Sequence, residues 1–254
     1  MRIAALYDIH GNIDALDAVL TDIEKEQIDL IVIGGDIAWG PFPGETVRRV
    51  RDLGDRAVTI RGNADREVAS RAGETDGLEP WVADVNLWCA DRLVEDEIAY
   101  LRTLPQTVTI GTPVLGDVLF CHGTPHSDEE IVTAATPDED LARVLRGVDQ
   151  RLVVCGHTHV QFDRKLGRTR VVNAGSVGLP YEDAPGAYWA LLGDDIHLRR
   201  TEYDVHAAAA RVLGAGCPHA GSFAETITSS GKRSEAIEAF EAVRRVSGPC
   251  AAPD

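Results

Sequence analysis

Four histidines, two aspartates and an asparagine share one kind of position in this chain: just past an apolar run of strand length, beside or near a glycine. Residues 3–7 are followed by Asp8-Ile9-His10-Gly11-Asn12, and residues 30–33 by Gly34-Gly35-Asp36. Residues 57–60 lead into Arg61-Gly62-Asn63-Ala64-Asp65, residues 118–121 into His122-Gly123, and residues 152–155 into Gly156-His157-Thr158-His159. Taken singly these pieces are weak, because an aspartate after a strand caps a helix more often than it binds a ligand, and His-Gly is commonly a turn. Taken together they are informative. Ligands of open α/β sheets bind beyond the carboxyl ends of the strands, and five runs here deliver an ionisable or amide side chain to that edge. Imidazole and carboxylate donors without thiolate suit Mn, Fe, Zn or Ni better than Ca, or Mg held alone. The chemistry indicated is that of a divalent-metal centre.

The elements that must position these residues follow from periodicity. The first two thirds alternate short apolar runs with helical patterns, beginning with a strand at 3–7. After it Ile13, Leu16, Val19, Leu20 and Ile23 fall on one helical face, with Asn12 placed to cap it. Further strands are expected at 30–33 and 57–60, with helices at 45–53 and 64–72. Residues 78–103 read as two helices, with Trp81, Val85, Trp88 and Leu93 apolar on the first. Strands then dominate, at 107–110, 117–121, 151–155, 160–166, 169–173, 187–192 and 196–203, interrupted by an amphipathic stretch at 137–147. From residue 205 the chain is Ala-rich and helical, with a frayed end expected. A βαβαβ start followed by many strands indicates an α/β protein whose later part is antiparallel or mixed.

Composition narrows the function further. The 254 residues, 44% of them hydrophobic, suffice for a sizeable core. The formal net charge of −16 opposes sequence-independent binding to duplex nucleic acid or to an anionic membrane. No stretch approaches the roughly 18 apolar residues of a membrane span, and residues 3–7 are too short for a signal-peptide core. The five cysteines are scattered and form no CxxC pair, which argues against a disulfide framework and a thiolate zinc site. Cys121 precedes His122, and neighbours on a strand face opposite sides, so Cys121 is assigned to the core, as is Cys155. A cytoplasmic protein is expected, with oligomeric state, including a homo-oligomer, left open.

The ordered set D-x-H-G-N (8–12), G-G-D (34–36), G-N-x-D (62–65), H-G (122–123) and G-H-T-H (156–159) resembles the calcineurin-like metallophosphoesterases over roughly the first 200 residues. Asn173-Ala174-Gly175-Ser176-Val177-Gly178 also resembles the N-x-G-S-V-G loop of a small prokaryotic, phosphodiesterase-like branch. The resemblance implies a four-layer α/β/β/α sandwich of two mixed sheets with flanking helices. The metallophosphoesterase domain would span 1–204, and a helical extension at 205–254 would pack on it. By the same resemblance Asp8, His10 and His159 would hold one metal, Asn63, His122 and His157 a second, and Asp36 would bridge them. Two dications, two carboxylates and one hydroxide leave a local charge of about +1, an anion site within an acidic chain. The implied reaction is hydrolysis of a small phosphorylated substrate by in-line attack of a metal-bridging hydroxide on phosphorus.

Two departures from the family pattern shape the substrate expectation. Many members carry a histidine after the G-N pair, over the scissile phosphate, where this chain has Ala64. Loss of a general acid typically costs about 10²–10⁴-fold, so a diester is expected over a monoester, with phosphomonoesterase as the alternative. His126 could substitute as the acid, against its reading as an exposed loop histidine. Relatives also continue the G-S-V-G loop with Pro-Arg, where this chain reads Leu179-Pro180-Tyr181-Glu182-Asp183. Tyr181, Arg61 and Arg66 are the candidates for contacting substrate in place of that arginine. A reading from another class is a metal-containing scaffold, a use to which the retromer subunit of this fold is put.

Overall fold

The structure is a computed structural model, and it describes residues 1–247. The frayed terminus expected beyond Gly248 lies outside the described residues. In chain order the first half comprises β1 (Ile3–Leu6), α1 (Ile13–Lys25), β2 (Leu30–Ile33), α2 (Pro43–Arg51), β3 (Ala57–Thr59), α3 (Asn63–Ser70), α4 (Pro80–Ala90) and α5 (Glu95–Thr103). The second half comprises β4 (Thr107–Thr112), β5 (Gly116–Cys121), α6 (Asp138–Val144), β6 (Leu152–Cys155), β7 (Phe162–Leu166), β8 (Thr169–Asn173), β9 (Ala187–Leu192) and β10 (Ile196–Thr201). Three helices follow: α7 (Val205–Gly214), α8 (Ala220–Thr228) and α9 (Arg233–Ser247).

The strands form two five-stranded mixed sheets, ordered β10-β9-β1-β2-β3 and β4-β5-β6-β8-β7. In the first, β1, β2 and β3 run parallel, and β9 and β10 are antiparallel additions. In the second, β5, β6 and β8 run parallel between antiparallel edge strands. The parallel triplets matter most, since five of their six carboxyl ends lead into the loops that carry Asp8, Asp36, Asn63, His122 and His157.

Period-2 alternation explains the layers. Ile3, Ala5 and Tyr7 face the second sheet and meet Phe120, Val154 and Val172 between the sheets. Ala4 and Leu6 point the other way, onto Leu16, Val19 and Ile23 of α1. On the far side of the second sheet Cys121, Val153 and Cys155 pack with Leu141 and Val144 of α6. The architecture is therefore α/β/β/α, and Cys121 and Cys155 face the helix-side core, away from His122. The helix α1 starts where the pattern indicates, because Asn12 accepts a hydrogen bond from the Ala15 N–H at 3.1 Å.

Three local readings need correction. Strand β7 begins at Phe162 rather than 160, because the Gln161 N–H donates to the Glu182 carboxylate at 2.6 Å instead of to a neighbouring strand. Strand β10 ends at Thr201, two residues short of the pattern. Trp81 leaves the apolar face of α4 for the surface, with 50% of its area exposed.

The C-terminal helices attach at two places. Ala208, Val212, Phe223 and Ile227 of α7 and α8 join the core outside the first sheet. On α9, Glu241 accepts from the Thr133 and Thr136 hydroxyls at 2.6 and 2.7 Å, and Arg233 donates to Glu182 at 2.6 Å.

Candidate metal centre

The loops after β1, β2, β3, β5 and β6 meet at one edge of the two-sheet sandwich. There Nε2 of His159 lies 3.4 Å from Asp8 Oδ1, and Nε2 of His122 lies 3.7 Å from the same oxygen. Asp36 Oδ2 is 3.3 Å from His122 Nε2 and 3.6 Å from His10 Nε2. Two groups of buried donors have the mutual spacing of a metal shell: Asp8, His10 and His159, and Asp8, Asp36 and His122. Ligands about 2.0–2.2 Å from one ion, at right angles, lie about 3 Å apart, which is the scale of these separations.

Backbone strain concentrates here. Asp8, His10, Asp36, His157 and His159 all adopt positive φ, between 49° and 67°, a region that non-glycine residues seldom enter. Such conformations cost about 1–3 kcal/mol each and persist only where the surroundings enforce them. The enforcing contacts are visible. The N–H groups of Asp8 and His10 donate to the carbonyls of Gly35 and Asp36 at 3.1 and 2.9 Å, tying the first loop to the second. The Asp8 carbonyl accepts from the Ser176 hydroxyl at 2.7 Å and the Gly178 N–H at 2.9 Å. The Asn173–Gly178 loop thus clasps the loop of Asp8 and His10, while Asn173 Nδ2 donates to the Gly156 carbonyl at 2.6 Å and holds the loop of His157 and His159.

Every donor has its outward valence spent on the protein and its inward valence left over. Asp8 Oδ2 accepts from the His157 N–H at 3.0 Å, and Asp36 Oδ1 from the Ala64 N–H at 2.9 Å. The Nδ1 atoms of His10, His122 and His159 face the carbonyls of Trp39, Gly34 and Leu179 at 3.1, 2.8 and 2.7 Å. His157 uses Nε2 instead, on the Glu129 carbonyl at 3.0 Å. A carbonyl only accepts, so the nitrogen facing it carries the hydrogen, and in the neutral ring that a metal binds the other presents a lone pair. Asn63 Nδ2 donates to Glu67 at 3.4 Å, which turns the amide oxygen away. Asp8 Oδ1, Asn63 Oδ1 and His122 Nε2 are left buried without a hydrogen-bond partner. The Nε2 atoms of His10 and His159 face each other at 3.0 Å, lone pair toward lone pair. Unpaired buried polar atoms are costly, and a cation among them is what this donor set fits.

The electrostatics agree. Among these side chains alone, burial opposes the charged carboxylates, but His159 and His122 hold Asp8 below its ordinary range, and His122 holds Asp36 well below. Burial, reinforced by neighbouring imidazoles, pushes His10 and His157 down to about 4. His122, although burial opposes its charge, is driven up to about 10 by Asp36 and Asp8. Two buried carboxylates demand positive charge at the centre.

Other positions singled out in the sequence fare differently. Tyr181 stacks on His159, with centroids 5.0 Å apart and planes 14° apart, and lines the cleft over the donors. The structure does not bring His126 to the donors: its Nε2 pairs with the Arg146 carbonyl at 3.0 Å. Arg61 and Arg66 are both engaged by Asp128, at 3.3 and 3.1 Å, and Arg66 also by Glu129. They reinforce the loop after β5 rather than line the cleft.

Sequence reasoning missed several contributors. Asp65, fully buried, accepts from the backbone N–H groups of Gly62, Ile37 and Ala38 at 3.1, 2.8 and 3.2 Å, locking the loops of Asp36 and Asn63 together. Its place in the G-N-x-D motif was the only available signal. Glu67 orients Asn63, and Trp39, Trp81, Phe223 and His219 wall the cleft from elements remote in sequence. The cleft has a volume of about 260 Å³ and opens to solvent.

Comparison with known proteins agrees with the geometry. The profile of the calcineurin-like phosphoesterase superfamily domain matches residues 1–194. The chain is 32% identical over 200 residues to a symmetrical bis(5'-nucleosyl)-tetraphosphatase of Nitrosococcus oceani, covering 74% of this chain and 69% of the relative. It is 23% identical over 203 residues to the phosphodiesterase YfcE of Escherichia coli, covering 76% of this chain and 89% of that one. Among solved structures, a metallophosphoesterase from Sphaerobacter thermophilus superposes with a TM-score of 0.73 at 27% identity, covering 89% of this chain and 98% of that one. No helix among the described residues is long and apolar enough to cross a membrane. The chain belongs to the calcineurin-like phosphoesterase superfamily and is a metal-dependent phosphoester hydrolase.

Proposed function

We propose that this enzyme carries two divalent ions and hydrolyses phosphodiesters in preference to phosphomonoesters. In this reading Asp8, His10 and His159 hold one ion, Asn63, His122 and His157 the other, and Asp36 both. The observation that carries it is the arrangement of valences: the four imidazoles, two carboxylates and one amide are each fixed by a partner on one side and leave a lone pair on the other. Imidazole, carboxylate and amide donors without thiolate suit Mn, Fe, Zn or Ni. When bound, a pair of such ions supplies Lewis-acid polarisation of phosphoryl oxygens and lowers the pKa of water.

The chain's own side chains set the preference for diesters. Ala64, at the cleft floor, offers no proton to a leaving alkoxide, and His126 is committed to Arg146. No Lys or Arg lines the cleft among the described residues, and Glu67 adds a carboxylate whose protonation burial favours. A diester monoanion suits this lining better than a monoester dianion. The Ser176 clasp and the strained ligand loops keep the donors placed without substrate, which reduces the reorganisation demanded during reaction. The names of the two relatives, a phosphodiesterase and a bis(5'-nucleosyl)-tetraphosphatase, support a substrate whose phosphoryl group links two substituents.

The test is Asp36→Asn in protein reloaded with Mn²⁺. A drop above about 100-fold in kcat/KM for bis-p-nitrophenyl phosphate is expected, since even outer partners of metal ligands are worth 10–100-fold. Activity within a few-fold of the parent would refute the assignment of Asp36.

A further inference from the structure

The apolar wall of the cleft is not needed to hold metal, and it is built from aromatic rings that begin at the donors themselves. The Trp39 ring packs edge-on against His10 with centroids 5.4 Å apart, and Trp81 packs edge-on against Trp39 at 5.8 Å. Phe223 lies 5.2 Å from Trp39, and His219 lies 6.4 Å from Trp81. On another side Tyr181 stacks on His159. Trp81 lines the cleft and keeps 50% of its surface exposed. Its contacts with Trp39 and His219 leave half of this large aromatic side chain open to a ligand.

We propose that this wall is a subsite for the planar ring of a nucleoside phosphodiester, the base resting against Trp81 while the phosphate lies over the donor cluster. The proposal rests on the diesterase reading and names the substituent that reading leaves open. Three observations select this ligand. Flat rings at two ring-to-ring steps from His10 match a ligand whose pentose spaces a base from its phosphate. The described lining holds no Lys or Arg beyond the donors, which fits one ionised phosphate and disfavours a polyphosphate. Phe223 and His219 lie on or at the start of α8, outside residues 1–194 matched by the superfamily profile, so this chain's own C-terminal helices complete the wall. Base–aromatic stacking tolerates any base because every base has a π-face, so the subsite recognises a ring rather than one particular base.

The experiment compares three diesters with the same leaving group: the p-nitrophenyl esters of methyl, hexyl and thymidine 5'-phosphate. Stacking is worth roughly 5- to 150-fold, so kcat/KM for the thymidine ester should exceed that for the methyl ester by at least about 5-fold. Trp81→Leu should collapse that ratio toward one, and Trp81→Phe should preserve most of it. The second readout is calorimetric binding of adenosine 5'-monophosphate to the metal-loaded protein, with Kd raised by a similar factor in W81L. Equal rates for the methyl and thymidine esters would overturn the subsite and leave the diesterase reading intact. An equal gain from the hexyl ester would replace ring recognition by general apolar contact and would also overturn it. Silence on all three esters, with nucleotide binding still sensitive to W81L, would sustain the subsite and defeat the diesterase reading instead.

Discussion

Adding one methyl group to Gly62 should disable the metal centre. A Cβ there would lie 2.0 Å from Asp36 Oδ1 and 2.6 Å from the Asp36 nitrogen. An ordinary carbon–oxygen approach is about 3.3–3.6 Å, so one group must move by more than about 1 Å. Asp36 has nowhere to go without losing its place: Oδ1 is held by the Ala64 N–H at 2.9 Å, and Oδ2 lies 3.3 Å from His122 Nε2. A misplacement of about 1 Å in reacting geometry costs about 100-fold, and overpacking costs about 1–3 kcal/mol of stability. Gly62→Ala is therefore expected to lower kcat/KM for bis-p-nitrophenyl phosphate about 100-fold and to weaken Mn²⁺ binding measured by calorimetry. Gly214→Ala is the control, since nothing lies within 4 Å of its added carbon and it sits exposed at the C-terminal end of α7. That variant should keep its activity and gain at most about 1 kcal/mol. If G62A matches the parent in metal affinity and rate within about twofold, the close approach of the two loops is not what positions Asp36.

Three further outcomes follow from particular contacts. Ser176→Ala removes the hydroxyl that donates to the Asp8 carbonyl and accepts from the Leu179 N–H, both at 2.7 Å, and should cost about 1–3 kcal/mol in denaturant unfolding, with weaker metal binding. Metal uptake should displace a proton from His122, whose side chain is held up to about 10. Calorimetry in buffers of different ionisation enthalpy should then show about one proton released near pH 7, and apparent affinity falling about tenfold per unit as pH drops; no release would exclude His122 as a ligand. Glu241→Gln should destabilise the protein at neutral pH. Burial opposes the Glu241 charge, but Arg244 and the Thr133 and Thr136 hydroxyls hold its pKa below the ordinary value. A lowered folded pKa means stabilisation present above the unfolded value of about 4.3 and lost as pH falls through the folded one. The gap between parent and variant should therefore narrow below about pH 4, and a gap independent of pH would contradict the ionic role.

The legible part of this site is the part whose chemistry is local in the chain. Asp8, Asp36, Asn63, His122 and His157 each sit at the end of a short apolar run, so the fold needs only parallel strands to gather them, and the apolar runs announce those strands. The α/β/β/α layering is what the family resemblance implied, whereas the residues alone indicated an α/β protein whose later part is antiparallel or mixed. What was not legible depends on partners far away in sequence. Arg66 looks like a free cation beside Asn63 until Asp128, 62 residues on, is seen to bind it. His126 shares a loop with His122, but spacing alone does not say where a loop side chain points, and the Arg146 carbonyl decides it. Trp81 has the apolar character of a core residue, and only the placement of α8 against α4 turns it toward a cleft.

The central claim is tested most directly by measuring metal content and hydrolysis together. Protein stripped by chelation would be reloaded with Mn²⁺, Fe²⁺, Ni²⁺ or Zn²⁺, its bound ions counted, and bis-p-nitrophenyl phosphate compared with p-nitrophenyl phosphate. Two ions per chain and metal-dependent turnover favouring the diester are predicted. Two bound ions with no turnover of either ester, or a faster monoester, would contradict the account.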